Sequence, residues 1–351
     1  MNETRLATVS PVEIMVRGSL DLGVHVVTSI VIAEKYFWNK KRLIQLRYSD
    51  EQITWRGQNH LVEDYTKLLR MYGARTPVDL QLAAKIKSYE EQLDDTERAS
   101  HRSGEFRVFI NISDIGLQTR PYVTADQWDN YFSKYTNGTY GGWDHILYQP
   151  HIPRMLVKLF SNKAVGRKGL QFLVAWILYR QLVQFTDPRM FLHGRTATDA
   201  CYDHIKRVMS LAVTSPVFQS EIPLDLLRKV ENMVSNIRRA FQKTFESSTW
   251  IQPDFREVAI RRLNNITVYV GSPGRVLDPE YVEAIYKPYP DAPLDILFPT
   301  WIKALSLSSH YIWSDQTTPL FRGDIYSSYY ERVYNDFTIL NLEMLRPFAY
   351  S

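Results

Sequence analysis

Between positions 224 and 246 apolar residues return every three or four places: Leu227, Val230, Val234, Ile237, Phe241 and Phe245, with lysines and arginines between them. A stripe of that period fits an α-helix lying on apolar surface, so this stretch is expected to be core. Residues 201–213 repeat the pattern, and 150–186 reads as two buried helices. Leu61, Tyr65, Leu68 and Tyr72 form another helical face, closed by Gly73. Thr76 as N-cap and Pro77 in the first turn then open a helix whose core face is Val78, Leu82, Ile86, Tyr89 and Leu93. The charged stretch 94–104 reads as an exposed, protease-sensitive loop.

Strand signals are fewer. Residues 23–33 are rich in β-branched side chains, 42–48 alternate, and Phe106, Val108, Ile110 and Ile112 alternate briefly before the glycine-rich turn at 137–142. Prolines 273, 279, 288, 290 and 293 punctuate a loop-rich stretch, and 324–351 reads as extended. The expected fold is predominantly α with short β-strands near both ends. Its expected parts are a mixed segment 1–55, a helical lobe 56–323 and a strand stub 324–351.

The 42 basic and 38 acidic side chains are interspersed, and the net charge is only +4, which gives no basic face for nucleic acid. Arg238-Arg239 and Arg261-Arg262 fall within amphipathic patterns and read as solvated faces. The longest apolar run, 172–179, is flanked by Arg167, Lys168 and Arg180 and reads as a buried helix, so no membrane span is expected. Asn2, Asn111, Asn137 and Asn265 each begin an Asn-x-Ser/Thr triplet, the pattern of a glycosylated, secreted protein. No apolar segment follows the opening residues, so a natural leader is expected to be missing.

An inventory of chemistry finds little. The eight histidines are His25, His60, His101, His145, His151, His193, His204 and His310, and no two are four apart, so a helical His-x-x-x-His metal pair cannot form. His145 and His151, the closest pair, read as loop histidines. There is no phosphate-binding loop and no Gly-x-Ser-x-Gly elbow. Cys201 lies three residues before His204, but it continues the apolar stripe of Ile205 and Val208 and reads as a buried small hydrophobe or a half-cystine paired outside the chain.

Several segments in order resemble the neprilysin and endothelin-converting-enzyme family of zinc metalloendopeptidases. They are Ser247-Ser248-Thr249-Trp250-Ile251, then Arg256, Ala259, Arg262-Leu263 and Val270-Gly271-Ser272-Pro273. Upstream stand Tyr148-Gln149-Pro150, Trp176, Cys201 and Ala212-Val213; downstream stand Trp313, the run 326–330, Asn335 and Leu345-Arg346-Pro347. The resemblance covers nearly the whole chain, most closely from Tyr148 onward. It implies a neprilysin-like N-terminal region without the catalytic domain, whose zinc is held by His-Glu-x-x-His and a later Glu. No metal is therefore expected in this chain, and no hydrolysis. The resemblance also implies peptide substrates for the complete protein, an extracellular or plasma-membrane setting, and a Cys201 whose disulfide partner is absent. One substrate motif carries over: the family's Asn-Ala-Tyr-Tyr edge strand matches Ser327, Ser328, Tyr329 and Tyr330, with Ser-Ser in place of Asn-Ala. Two readings follow, a truncated peptidase or a non-catalytic secreted binding or decoy protein. From residue 326 on, an orphan strand exposing Ile339, Leu340, Leu342 and Met344 is expected, which favours the first.

Overall fold

The computed structural model describes residues 9–35, 41–70, 80–183, 197–221, 223–271, 278–290, 297–316, 328–331 and 336–340. In chain order they form α1 (Pro11–Asp21), β1 (Thr28–Lys35), β2 (Arg42–Tyr48), α2 (Asp50–Arg56), α3 (Val62–Arg70) and α4 (Leu80–Ser100). Next come β3 (Val108–Asn111), α5 (Ile115–Thr119), α6 (Ala125–Tyr135), β4 (His145–Tyr148), α7 (His151–Ser161) and α8 (Gly166–Val183). The remainder is α9 (Ala197–Val208), α10 (Ser210–Glu221), α11 (Leu224–Ser247), α12 (Pro253–Asn264), β5 (Thr267–Gly271), α13 (Pro279–Tyr286), α14 (Leu297–Ser314), β6 (Tyr329–Glu331) and β7 (Asp336–Leu340). The chain is predominantly helical, as its periodicity implied. It divides into two compact units: Met1–Ala33, Arg42–Cys201 and Pro290–Ser314 make the first, and Glu34–Lys41, Tyr202–Tyr289 and Asp315–Ser351 the second.

The first unit is built on a four-stranded sheet of order β1-β2-β4-β3. β2 lies parallel to β4, with Ile44 opposite Ile146, and β3 runs antiparallel to β4. Two of its strands thus come from mid-chain rather than from near the ends. Ile44, Leu46 and Ile146 share one core with Met15 of α1, Phe132 of α6, Leu156 of α7 and Leu173 of α8. The capping box of Thr124 and Gln127 starts α6. At the other end of the core, α14 satisfies the end of α1: Ser309 and Trp313 both donate to the Leu20 carbonyl, at 2.8 and 2.9 Å.

Helix α4 departs from the sequence reading in two ways. Its buried face is Ala83, Ile86, Glu90, Leu93, Glu97 and Ser100, whereas Leu82 points outward. An apolar-only stripe missed this face because two of its members are glutamates held by buried partners. The helix also runs through 94–100, where the charged composition predicts a loop. Its last carbonyls are taken by α7: Lys158 donates to Ala99 at 2.7 Å, and Arg154 donates twice to Ser100, at 3.2 and 2.9 Å. Cationic side chains on the final turn offset the orphan carbonyls and the negative helix end. Residues 71–79, with Tyr72, Gly73, Thr76, Pro77 and Val78, lie outside the described residues. Leu61 is exposed, while Tyr65 and Leu68 are buried.

In the second unit the α11 stripe is only partly core. Val230 is buried, but Ile237 and Phe241 are 50% and 53% exposed. Period alone reports amphipathicity, and each large apolar residue left in water forgoes roughly 1.5–3 kcal/mol of burial. α12 packs on α11 and α13 on α10. The helix expected over 201–213 is divided between α9 and α10. The second sheet has the order β5-β7-β6, with β5 parallel and β6 antiparallel to β7. Within the segment expected to be an orphan strand, β7 is paired on both sides and Ile339 lies half-buried in it, while Leu342 and Met344 lie outside the described residues.

Candidate functional site

Two buried carboxylates face inward from α4. Glu90 is surrounded by donors: Trp55 Nε1 at 2.9 Å and the Tyr65 hydroxyl reach Oε2, while Trp176 Nε1 at 3.0 Å and Arg180 at 3.4 Å reach Oε1. The Arg180 guanidinium also lies 4.0 Å over the Trp55 ring. Burial and the Glu90 charge raise the Tyr65 phenol, which stays a neutral donor. Both carboxylate oxygens are used here, so this cluster fastens α2, α3, α4 and α8 together.

Seven residues on, two turns along the same face, Glu97 has different company. Its Oε2 accepts from Arg56 at 3.2 Å, and Arg56 also pairs with Asp94 at 3.4 Å. Burial pushes Asp94 up to about 6, against the pull of Arg56. Glu97 Oε1 lies 2.7 Å from Nε2 of His101, just past the helix end, and 3.9 Å from Nε2 of His151, the first residue of α7. The two imidazoles stack with centroids 3.7 Å apart. One ligand atom from each of Glu97, His101 and His151 lies within 4.8 Å of the others. His151 is buried, and its Nε2 has no hydrogen-bond partner. Burial, with His101 beside it, pushes His151 down to about 4, so it is neutral and basic-site ready near pH 7. Sequence reasoning missed this trio because 94–104 read as a loop and His151 comes from a helix fifty positions away. The one legible signal was the four-residue spacing of Glu97 and His101.

Of the residues singled out in the sequence, Ser327 lies outside the described residues, and Ser328 is half-buried. Tyr329 and Tyr330 lie on β6, opposite Thr338 and Phe337, at one end of the strand order. The Tyr330 hydroxyl accepts from Arg262 at 3.4 Å. Cys201 is exposed, not a buried hydrophobe, and Ile205 beside it is exposed too. His204, pushed down to about 4 by burial and then by Arg207, is half-buried, and Arg207 donates to its Nδ1 at 3.2 Å. Asn137 and Asn265 are exposed, Asn111 is half-buried in β3, and Asn2 lies outside the described residues.

A sequence profile of peptidase family M13, covering the family's N-terminal region, matches residues 43–273, well over half of the chain. The chain belongs to peptidase family M13. This M13 chain is 20% identical over 281 residues to an endothelin-converting enzyme homolog of Locusta migratoria, covering 71% of this chain and 38% of that protein. It is 28% identical over 86 residues to neprilysin-3 of Drosophila melanogaster, covering 24% of this chain and 11% of that one. The chain thus spans well under half the length of these relatives. In three dimensions it resembles the Mycobacterium tuberculosis zinc metalloprotease Zmp1, solved with an inhibitor, at a TM-score of 0.65. That likeness, at 14% identity, covers 98% of this chain and 55% of Zmp1, and concerns the fold.

M13 membership raises the question of zinc. The family motif needs two histidines one helical turn apart with a glutamate between them, and no pair in these 351 residues meets that spacing. Glu97, His101 and His151 place one histidine at the end of each of two helices, a different arrangement. The residues present therefore do not fit the family's water-activating zinc. No helix among the described residues is long and apolar enough to cross a membrane.

Proposed function

We propose that this chain is the N-terminal, non-hydrolytic region of a neprilysin-like zinc metalloendopeptidase, serving extracellular peptide hydrolysis only as part of the complete protein. The observation that carries the reading is the family match over residues 43–273 in a sequence without His-Glu-x-x-His. Its own contribution is an edge for extended peptides. β6 stands at the end of the β5-β7-β6 order, and Tyr329 and Tyr330 follow the Ser327-Ser328 pair that replaces the family's Asn-Ala. A peptide adding there bonds through backbone groups, which tolerate the change to serine better than side-chain bonds do. An extracellular or ectodomain setting agrees with the exposed Asn137 and Asn265 as glycan acceptors.

One observation favours the second reading, a secreted binding or decoy protein. β7 is paired on both sides within the chain, which answers the orphan-strand objection to a free-standing module for residues 336–340. Two measurements test these readings. Incubating the purified chain with a peptide library and zinc should give no cleavage by mass spectrometry; turnover would sink the non-hydrolytic claim. Fluorescence anisotropy with an extended peptide should show binding that Ser328→Pro weakens about fivefold, the worth of one backbone hydrogen bond. Unchanged affinity would remove the edge from consideration. A purified chain that melts without cooperativity would count against the free-standing module.

A further inference from the structure

We propose that Glu97, His101 and His151 form a binding site for a single divalent transition metal, with zinc as the best fit, that clips the end of α4 to the start of α7. The inference stands apart from the peptidase reading and departs from the expectation, drawn from the family resemblance and from histidine spacing, that the chain holds no metal.

The donor set is two imidazole nitrogens and one carboxylate oxygen, which suits zinc, cobalt or nickel and disfavours the all-oxygen preference of calcium and magnesium. The geometry is near what zinc requires. Ligand atoms about 2.1 Å from a tetrahedral ion lie roughly 3.4 Å from one another. Here Glu97 Oε1 is 2.7 Å from His101 Nε2 and 3.9 Å from His151 Nε2. All three donor atoms already lie within 4.8 Å of one another, and the His101 ring must turn out of its stack on His151 to aim its lone pair at a shared ion. His101, past the last turn of α4 and half-exposed, has room to turn.

The deciding feature is the His151 Nε2. It is buried, has no hydrogen-bond partner, and lies beside the one Glu97 oxygen that Arg56 leaves for other use. Burying an imidazole nitrogen without a partner is unfavourable. A metal ion supplies that partner, and a neutral His151 needs no deprotonation to bind it. The charge balance also allows a cation. Arg56 is met by Asp94 and Glu97 Oε2, and Arg154 by Glu105 and the Ser100 carbonyl. The Arg56 bond meanwhile fixes the carboxylate, the part a neighbouring side chain plays for metal ligands. Three protein ligands leave a fourth position for water on the exposed His101 side.

The test uses the tag-free chain, stripped with a chelator and titrated with zinc by calorimetry and with cobalt(II) by visible absorption. We expect one equivalent bound, an intense tetrahedral cobalt spectrum, and a zinc-dependent rise in thermal midpoint. His101→Ala, at a half-exposed position, should fold normally by circular dichroism and lose at least tenfold in affinity; His151→Gln should lose it altogether. Cys201→Ala should bind as the parent does. As a measurement free of variants, zinc should protect the exposed His101 from histidine-directed acylation, read by peptide mapping. Absence of one-equivalent binding overturns the proposal. So does binding indifferent to His101→Ala, or acylation of His101 unchanged by zinc.

Discussion

Glu90 and Glu97 lie seven residues apart on one face of α4, both buried, yet they are opposite kinds of site. Glu90 meets two indole N–H groups, a phenol and a guanidinium, and both its oxygens are filled. Glu97 meets a guanidinium on one oxygen and two imidazoles near the other, one of them with an orphan nitrogen. Burial alone does not distinguish a fastener from a site. The neighbours' spare valences do: a saturated carboxylate can only hold the fold, whereas an unsaturated cluster can take a ligand.

The largest expected effect breaks the saturated side. Glu90→Ala leaves the buried Arg180 and three neutral donors without their acceptor, and should lower unfolding free energy by about 3–5 kcal/mol in urea titration. Next is ligand linkage at the unsaturated side. Zinc at a hundredfold excess over its Kd should add about 2.7 kcal/mol to the parent and nothing to His151→Gln, read from the same urea midpoints.

The pH dependence of the zinc-free protein comes third. His151 titrates near 4 in the fold against an ordinary 6.5, so below pH 6.5 the unfolded chain takes up a proton that the native state refuses. Stability attributable to His151 is full above pH 6.5, falls as the pH drops to 4, and totals on the order of 2 kcal/mol. Asp94, held up to about 6 from 3.8, works in the opposite sense over the same range. The parent minus His151→Gln difference between pH 7 and pH 4 therefore isolates the histidine; a flat difference would deny its buried, neutral state. The smallest effect is His101→Ala without metal, within about 0.5 kcal/mol of the parent, because its side chain is half-exposed. A larger loss would mean that the His101–Glu97 contact fastens the fold as the Glu90 cluster does.

Much of the molecule was legible beforehand. β2 runs over 42–48 as its alternation implied, and the two helices expected in 150–186 are α7 and α8. The order of short motifs gave the family, because spacing over a hundred positions survives where identity has fallen to 20%. The exposed half of the α11 stripe was not legible, since a helical period states which side is apolar and not whether anything covers it. Cys201 misled for the same reason: it continues a stripe whose neighbour Ile205 is itself exposed.

The sequence by itself determined the helical class, the family and the lack of a His-Glu-x-x-His motif, because these depend on local period and on residues present or missing. Only the tertiary structure decided that 94–100 is helix, that β7 is paired on both sides, and that His151 meets Glu97 and His101. Those outcomes rest on contacts between segments distant along the chain. Lys158 and Arg154 reach back from α7 to end α4, and that reach sets His151 beside the carboxylate.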